Sequence, residues 1–169
     1  MLPLADDDSG RQFTPLITMG LIIINVIVFL IELNQGQAFI ERWAFVPSRF
    51  LENPVADIPT LFTSMFMHGG WMHLIGNMLY LWVFGDNVED AMGHFSYLLF
   101  YLAGGAAASA AHILVNPSSQ LPTVGASGAI GAALGAYLVL YPQSRVATFI
   151  PLGFFFTLRL LPAAVVLIM

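Results

Sequence analysis

Apolar positions in this chain gather into long unbroken runs, with neither the alternation of half-buried strands nor the narrow stripe of a soluble amphipathic helix. Thr14 to Leu33 holds only uncharged side chains until Glu32. These twenty residues match the length at which a helix crosses a bilayer. Asn34 to Phe66 is a mixed connection with Arg42-Trp43, Arg49 and several prolines, a composition suited to a loop lying at the membrane interface. A second run begins after Gly69-Gly70 and extends from Trp71 to about Phe84, leaving the membrane through Gly85-Asp86-Asn87. The third, His94 to Val115, contains a block of small residues from Gly104 to Ala111 that suits close helix packing. Asn116 to Thr123 reads as a turn, and a fourth helix follows from Gly125 to Tyr141, stopped by Pro142. The last segment, Pro151 to Met169, is apolar except for Arg159 and carries Pro162 inside it.

The pattern predicts an all-α, polytopic membrane bundle of about four complete spans and a partial fifth, a single domain over 1–169 with a polar tail at 1–12. From Leu160, where the uninterrupted apolar stretch begins, ten residues remain. That is half of the roughly twenty a span requires, so the sequence reads as a C-terminally truncated fragment that stops inside a helix.

Composition sharpens this picture. With 58% hydrophobic and 9% charged residues the chain is too apolar for an ordinary soluble domain. Three aspartates and no basic start or small-x-small site argue against a cleaved signal peptide at the N-terminus. Cysteine is absent, which removes disulfides, zinc-thiolate sites and thiol nucleophiles. A net charge of −5 without a lysine argues against nucleic acid as a partner. The acids Asp86, Glu89 and Asp90 read as a solvated helix end.

Polar side chains inside spans are costly and mark function. On the fourth helix Ser127, Gly131 and Gly135 follow at spacings of four, a glycine groove headed by a hydroxyl near the helix start, where backbone N–H groups lack helical partners. The second run opens with His68-Gly69-Gly70-Trp71-Met72-His73, and Asn77 lies one turn beyond His73 on the same face. An imidazole and a carboxamide so stacked can both donate to an oxyanion. By parity of spans the starts of the second and fourth helices lie on one side of the membrane, so the pair and Ser127 can meet.

Plainer readings stand beside these. Ser127 alone reads as a capping or packing serine, and His73 with Asn77 as an interhelical hydrogen-bonded pair. A metal site at His68 and His73 is disfavoured, since five residues turn the ligands to different faces. His112 reads as a packing or interface residue and His94 as a helix start. No paired intramembrane charges or repeats suggest a transporter.

Taken together, Gly125-Ala126-Ser127-Gly128, the His-x4-His-x3-Asn segment, Gly85-Asp86-Asn87-Val88-Glu89-Asp90 and Pro3-Leu4 before an acidic tail resemble the rhomboid intramembrane serine proteases, the bacterial members above all. The resemblance implies a rhomboid-type bundle that cleaves transmembrane protein substrates within the bacterial plasma membrane, without cofactor or metal. It implies Ser127 as nucleophile, His73 and Asn77 as oxyanion donors, His68 as a support of the site mouth, and Gly125 and Gly128 as shapers of the approach to the serine. Gly131 and Gly135 would pack against a sixth helix. That helix carries the general-base histidine of the family and is absent here, so the chain as written is expected to lack efficient activity. The alternative is a proteolytically silent relative that binds client transmembrane helices.

Overall fold

The computed structural model describes residues 2–6, 12–152 and 155–168. Asp7, Asp8 and Arg11 of the acidic tail lie outside the described residues. Strand β1 (Leu2–Ala5) precedes the first long helix, α1 (Leu16–Gln35), which is the first expected span. The connection folds into short helices α2 (Gln37–Trp43), α3 (Pro47–Glu52), α4 (Pro54–Asp57) and α5 (Thr60–Thr63), then a 3-10 turn at Ser64–Phe66. Three long helices follow, α6 (Trp71–Met92), α7 (His94–Val115) and α8 (Ser127–Leu140). Among the described residues, α1 and α7 are long and apolar enough to cross a bilayer.

Two expectations are corrected at the ends of these elements. The second helix does not leave the bundle at Phe84 but runs on through Gly85-Asp86-Asn87 to Met92. Its acids are not a solvated end either: Glu89 is 1% exposed. The reason lies on α1, which opens at Pro15 with no side-chain cap of its own. Glu89 supplies the cap from the neighbouring helix, its two carboxylate oxygens accepting the N–H groups of Ile17 at 2.8 Å and Thr18 at 2.7 Å. Asp90 Oδ1 accepts the N–H groups of Gln12 and Phe13, and His94 Nδ1 lies 2.5 Å from Glu89 Oε1. Negative charge on orphan donors at a helix N-terminus is favourable on both hydrogen-bonding and dipole grounds. Glu89→Gln, which keeps the shape but loses the charge and one acceptor, is expected to cost on the order of 2 kcal/mol. Denaturant-induced unfolding in micelles would measure it.

The third correction concerns the chain after Pro142. The sequence pattern suggests a partial fifth span, whereas the structure has β2 (Arg145–Leu152) and β3 (Phe155–Pro162), with helix only at α9 (Ala163–Ile168). The two strands pair antiparallel from Arg145 opposite Pro162 to Leu152 opposite Phe155, and β1 adds to β2 in a three-stranded sheet of order β1-β2-β3. Thr148, Phe149, Ile150, Phe156 and Thr157 are strand formers, and Pro151 and Pro162 would each break a helix interior. The molecule is therefore a helical bundle bearing a small sheet rather than all-α.

The core lies between α6, α7 and α8 around Phe84, Tyr97, Tyr101, Ile130 and Tyr137. The small-residue block of α7 meets α8 directly. A Cβ on Gly104 would come within 2.4 Å of Ala132 Cβ, and one on Gly128 within 2.5 Å of Ala108 Cβ. Absence of side chains at these two points is what lets the helices approach at backbone distance.

Candidate active site

The α6 start and the α8 start are brought together by the connection between α1 and α6. Phe45 pairs with Thr123 as an isolated antiparallel bridge, and the Gly125 N–H donates to the Ser64 carbonyl at 2.9 Å. These bonds clamp the segment leading into α8 onto the segment leading into α6.

Gly125 takes φ +125°, a conformation that side-chain-bearing residues rarely adopt. A Cβ there would lie 2.8 Å from both Cε1 and Nε2 of His73 and 3.8 Å from Asn77 Nδ2. The imidazole and the carboxamide therefore both lie against the backbone two residues before Ser127, on the side that span parity implies. Asn77 Nδ2 is buried and has no hydrogen-bond partner among the described residues, so the amide holds a free donor at this point.

Ser127 is the first residue of α8, after a buried Ala126, and is itself exposed. The N-cap position of this helix is Ala126, which has no polar side chain to cap with, and Ser127 lies one residue inside it, past the position where serines commonly cap. Beside it lies a cavity of about 120 Å³ whose lining includes Ser64, Ser109, Gly125, Ser127 and Gly128. Gly128 is engaged by α7, as above, whereas Gly131 and Gly135 meet nothing within 4 Å and continue an exposed face from Ser127.

His68 sits behind His73. It is fully buried, its ring centroid 5.1 Å from that of His73 and 6.5 Å from that of Phe29, both edge-on. Its backbone N–H donates to Glu32 Oε2 at 3.0 Å, which ties the loop before α6 to the far end of α1. Burial first, and the neighbouring His73 second, push the His68 imidazole down to about 4. Its pKa in the unfolded chain is higher, near 6.5. Between these values the unfolded chain binds more protons, so stability falls as pH drops from about 6.5 towards 4. Thermal unfolding in micelles across that window is expected to show the decline, and His68→Gln to flatten it.

Sequence reasoning missed Glu32, noticed only as the end of an apolar run. A carboxylate at the last turn of a span was the available signal. His112 accepts or donates at Nδ1 with Thr123 Oγ1 at 2.9 Å, which holds the α7–α8 connection rather than Ser127. His94 begins α7 at the opposite end of the bundle, bound to Glu89. Among the described residues no group of three or more His, Asp or Glu side chains converges as a metal site would require.

A family model described as Rhomboid domain matches residues 56–169. The chain is 34% identical over 135 residues to Rhomboid protease GluP of Bacillus subtilis, covering 78% of this chain and 26% of that protein. It is 28% identical over 136 residues to the mitochondrial Rhomboid protein 1 of Saccharomyces cerevisiae, 78% of this chain and 38% of the relative. A chloroplastic Rhomboid-like protein 11 of Arabidopsis thaliana matches at 37% over 106 residues, 60% of this chain and 37% of the relative. The chain thus spans less than two-fifths of the length of each of these relatives.

Proposed function

This chain belongs to the rhomboid family of integral membrane proteins, and from that premise we propose that it forms the serine-bearing part of an intramembrane endopeptidase acting on transmembrane protein substrates. The observation that carries the reading is the convergence of His73 and Asn77 on Gly125, with the Asn77 amide unengaged and Ser127 two residues on. Ser127 attacks the scissile carbonyl, and the His73 imidazole, the Asn77 carboxamide and the helix-start N–H groups stabilise the tetrahedral oxyanion. His68 acts behind them as a neutral packing support.

Helix length supports an intramembrane position. Fourteen residues of α8 rise about 21 Å, against about 30 Å of hydrocarbon. With the Tyr141 end at one surface, Ser127 begins below the other. A bundle of four spans, α1, α6, α7 and α8, fits this placement, and the bacterial plasma membrane is the location the resemblance favours.

Serine needs a base to take its proton. Among the described residues no histidine is hydrogen-bonded to Ser127, and the proposal assigns the base to a histidine of a longer form, delivered along the exposed Ser127–Gly131–Gly135 face. The same observation favours a second reading, a silent relative that binds client helices. Labelling by a serine-reactive fluorophosphonate separates the two. Covalent label mapped to Ser127 in a form of relatives' length supports the protease, and its absence from that form, correctly folded, supports the silent binder.

A further inference from the structure

The three-stranded sheet has its faces reversed with respect to an ordinary solvated sheet. Residues directly opposite on paired strands share a face, and faces alternate along each strand. One face carries Pro3, Val146 and Thr148, all buried against the bundle. The register places Leu2 opposite Phe149, Phe149 opposite Leu158, Pro151 opposite Phe156 and Ala147 opposite Leu160 on the other. Among the described residues the polar side chain on that outer face is Arg145, at its end; the rest is apolar, yet Leu2 is 47% exposed, Phe156 68%, Leu158 59% and Leu160 64%. Phe149 and Phe156 stack on it with centroids 5.3 Å apart. An antiparallel sheet packed on one side normally turns polar residues outward on the other, so an apolar outer face needs a cover.

The position of the sheet says what the cover is. Four residues separate the end of α8 from β2, and β1 is tied to the same end of the bundle, where Asp6 Oδ2 accepts from Asn87 Nδ2 at 2.9 Å and from the Tyr137 hydroxyl at 2.5 Å. The neighbouring helix surfaces at that end, Leu16, Met19, Val139 and Leu140, are also apolar and exposed, as the lipid-facing surface of a span is. Arg145 is exposed at the end of this face, and Arg159, paired with Thr148 and so on the other face, is exposed on the outermost strand β3; long basic side chains so placed can reach lipid phosphates.

We infer that the outer face of this sheet is a membrane-docking surface, laid into the headgroup boundary of the leaflet at the α8 C-terminal end and continuous with the lipid-facing surface of the spans. Phe149, Phe156, Leu158 and Leu160 enter the acyl boundary, and Arg145 at the end of the same face reaches the phosphates. The sheet is then a monotopic element that fixes the depth of α8 from its far end.

The chain has no cysteine, so single labels can be introduced cleanly. A nitroxide on Leu158→Cys, and separately on Leu160→Cys, in protein reconstituted into phosphatidylglycerol–phosphatidylcholine vesicles, is tested for collision with oxygen, which partitions into lipid, and with a water-soluble nickel chelate. Both sites are expected to favour oxygen several-fold, as a lipid-facing control at Val139→Cys does, while a loop control at Ser118→Cys favours nickel. Equal or greater access to nickel at both strand positions overturns the inference. Spin–spin broadening that disappears on dilution with unlabelled protein also overturns it, because the cover is then a second copy of the chain. These readouts need no proteolytic activity, so their failure is distinct from failure of the protease reading.

Discussion

Ser127→Ala, in a form of the protein that cleaves substrate, is expected to abolish cleavage and fluorophosphonate labelling while leaving the fold untouched. Loss of a serine nucleophile costs about a millionfold in turnover where it has been separated from binding, since the remaining oxyanion donors and contacts supply only a small residual rate. A serine at the N-cap position brings a stability penalty of about 1 kcal/mol when truncated, because its oxygen caps the helix, but the N-cap of α8 is Ala126. The Ser127 oxygen makes no cap and the side chain is exposed, so the unfolding midpoint is expected to move little. Parallel measurement of product formation and of unfolding checks both halves. Retained cleavage would remove Ser127 from the mechanism, and a large loss of stability would return it to a structural role.

Gly125→Ala carries the second largest expected effect, through geometry rather than chemistry. Its added methyl would sit 2.8 Å from the His73 ring, and its backbone holds φ +125°. Strain of that kind costs on the order of 1–3 kcal/mol, and the imidazole can relieve the clash only by moving off the place where the proposed mechanism has it donate. Removal of one oxyanion donor lowers turnover by about a hundredfold to a thousandfold, so kcat is expected to fall at least that far, with a lowered unfolding midpoint. Gly20→Ala is the control. Gly20 lies in α1 with nothing within 4 Å, so a methyl there meets no neighbour and improves helix propensity by up to about 1 kcal/mol. Equal kinetics in the two variants would refute the contact of His73 with Gly125 as a working part of the site.

The membrane character and the placement of most helices were legible because lipid imposes a simple rule: every backbone polar group must be satisfied within the span, which leaves long apolar helices as the readable solution. The starts of α6 and α8 could be read from Gly69-Gly70 and from Gly125-Ala126-Ser127-Gly128, and span parity put them on one side. By contrast, Glu89 is indistinguishable in sequence from a solvated acid. Its burial depends on the N-terminus of α1, more than seventy residues away in the chain, lacking a cap of its own. The stretch from Pro151 reads as apolar whether it is helix or strand; in the structure Phe155–Pro162 pairs back on Arg145–Leu152, and that strand is held in turn by Leu2–Ala5, a contact that no local window contains.

What the sequence determined by itself was the membrane character and the rough position of the long helices, and which side chains are candidates for nucleophile and oxyanion donors, since these follow from residue type and local spacing. Tertiary structure alone decided that His73 and Asn77 approach Gly125, that Glu89 caps α1, and that Leu2–Ala5 joins the strands after α8 in a sheet with a largely apolar outer face. Each of these depends on orphan backbone groups and close approaches between segments distant in the chain, and such partners are chosen only when the whole bundle packs.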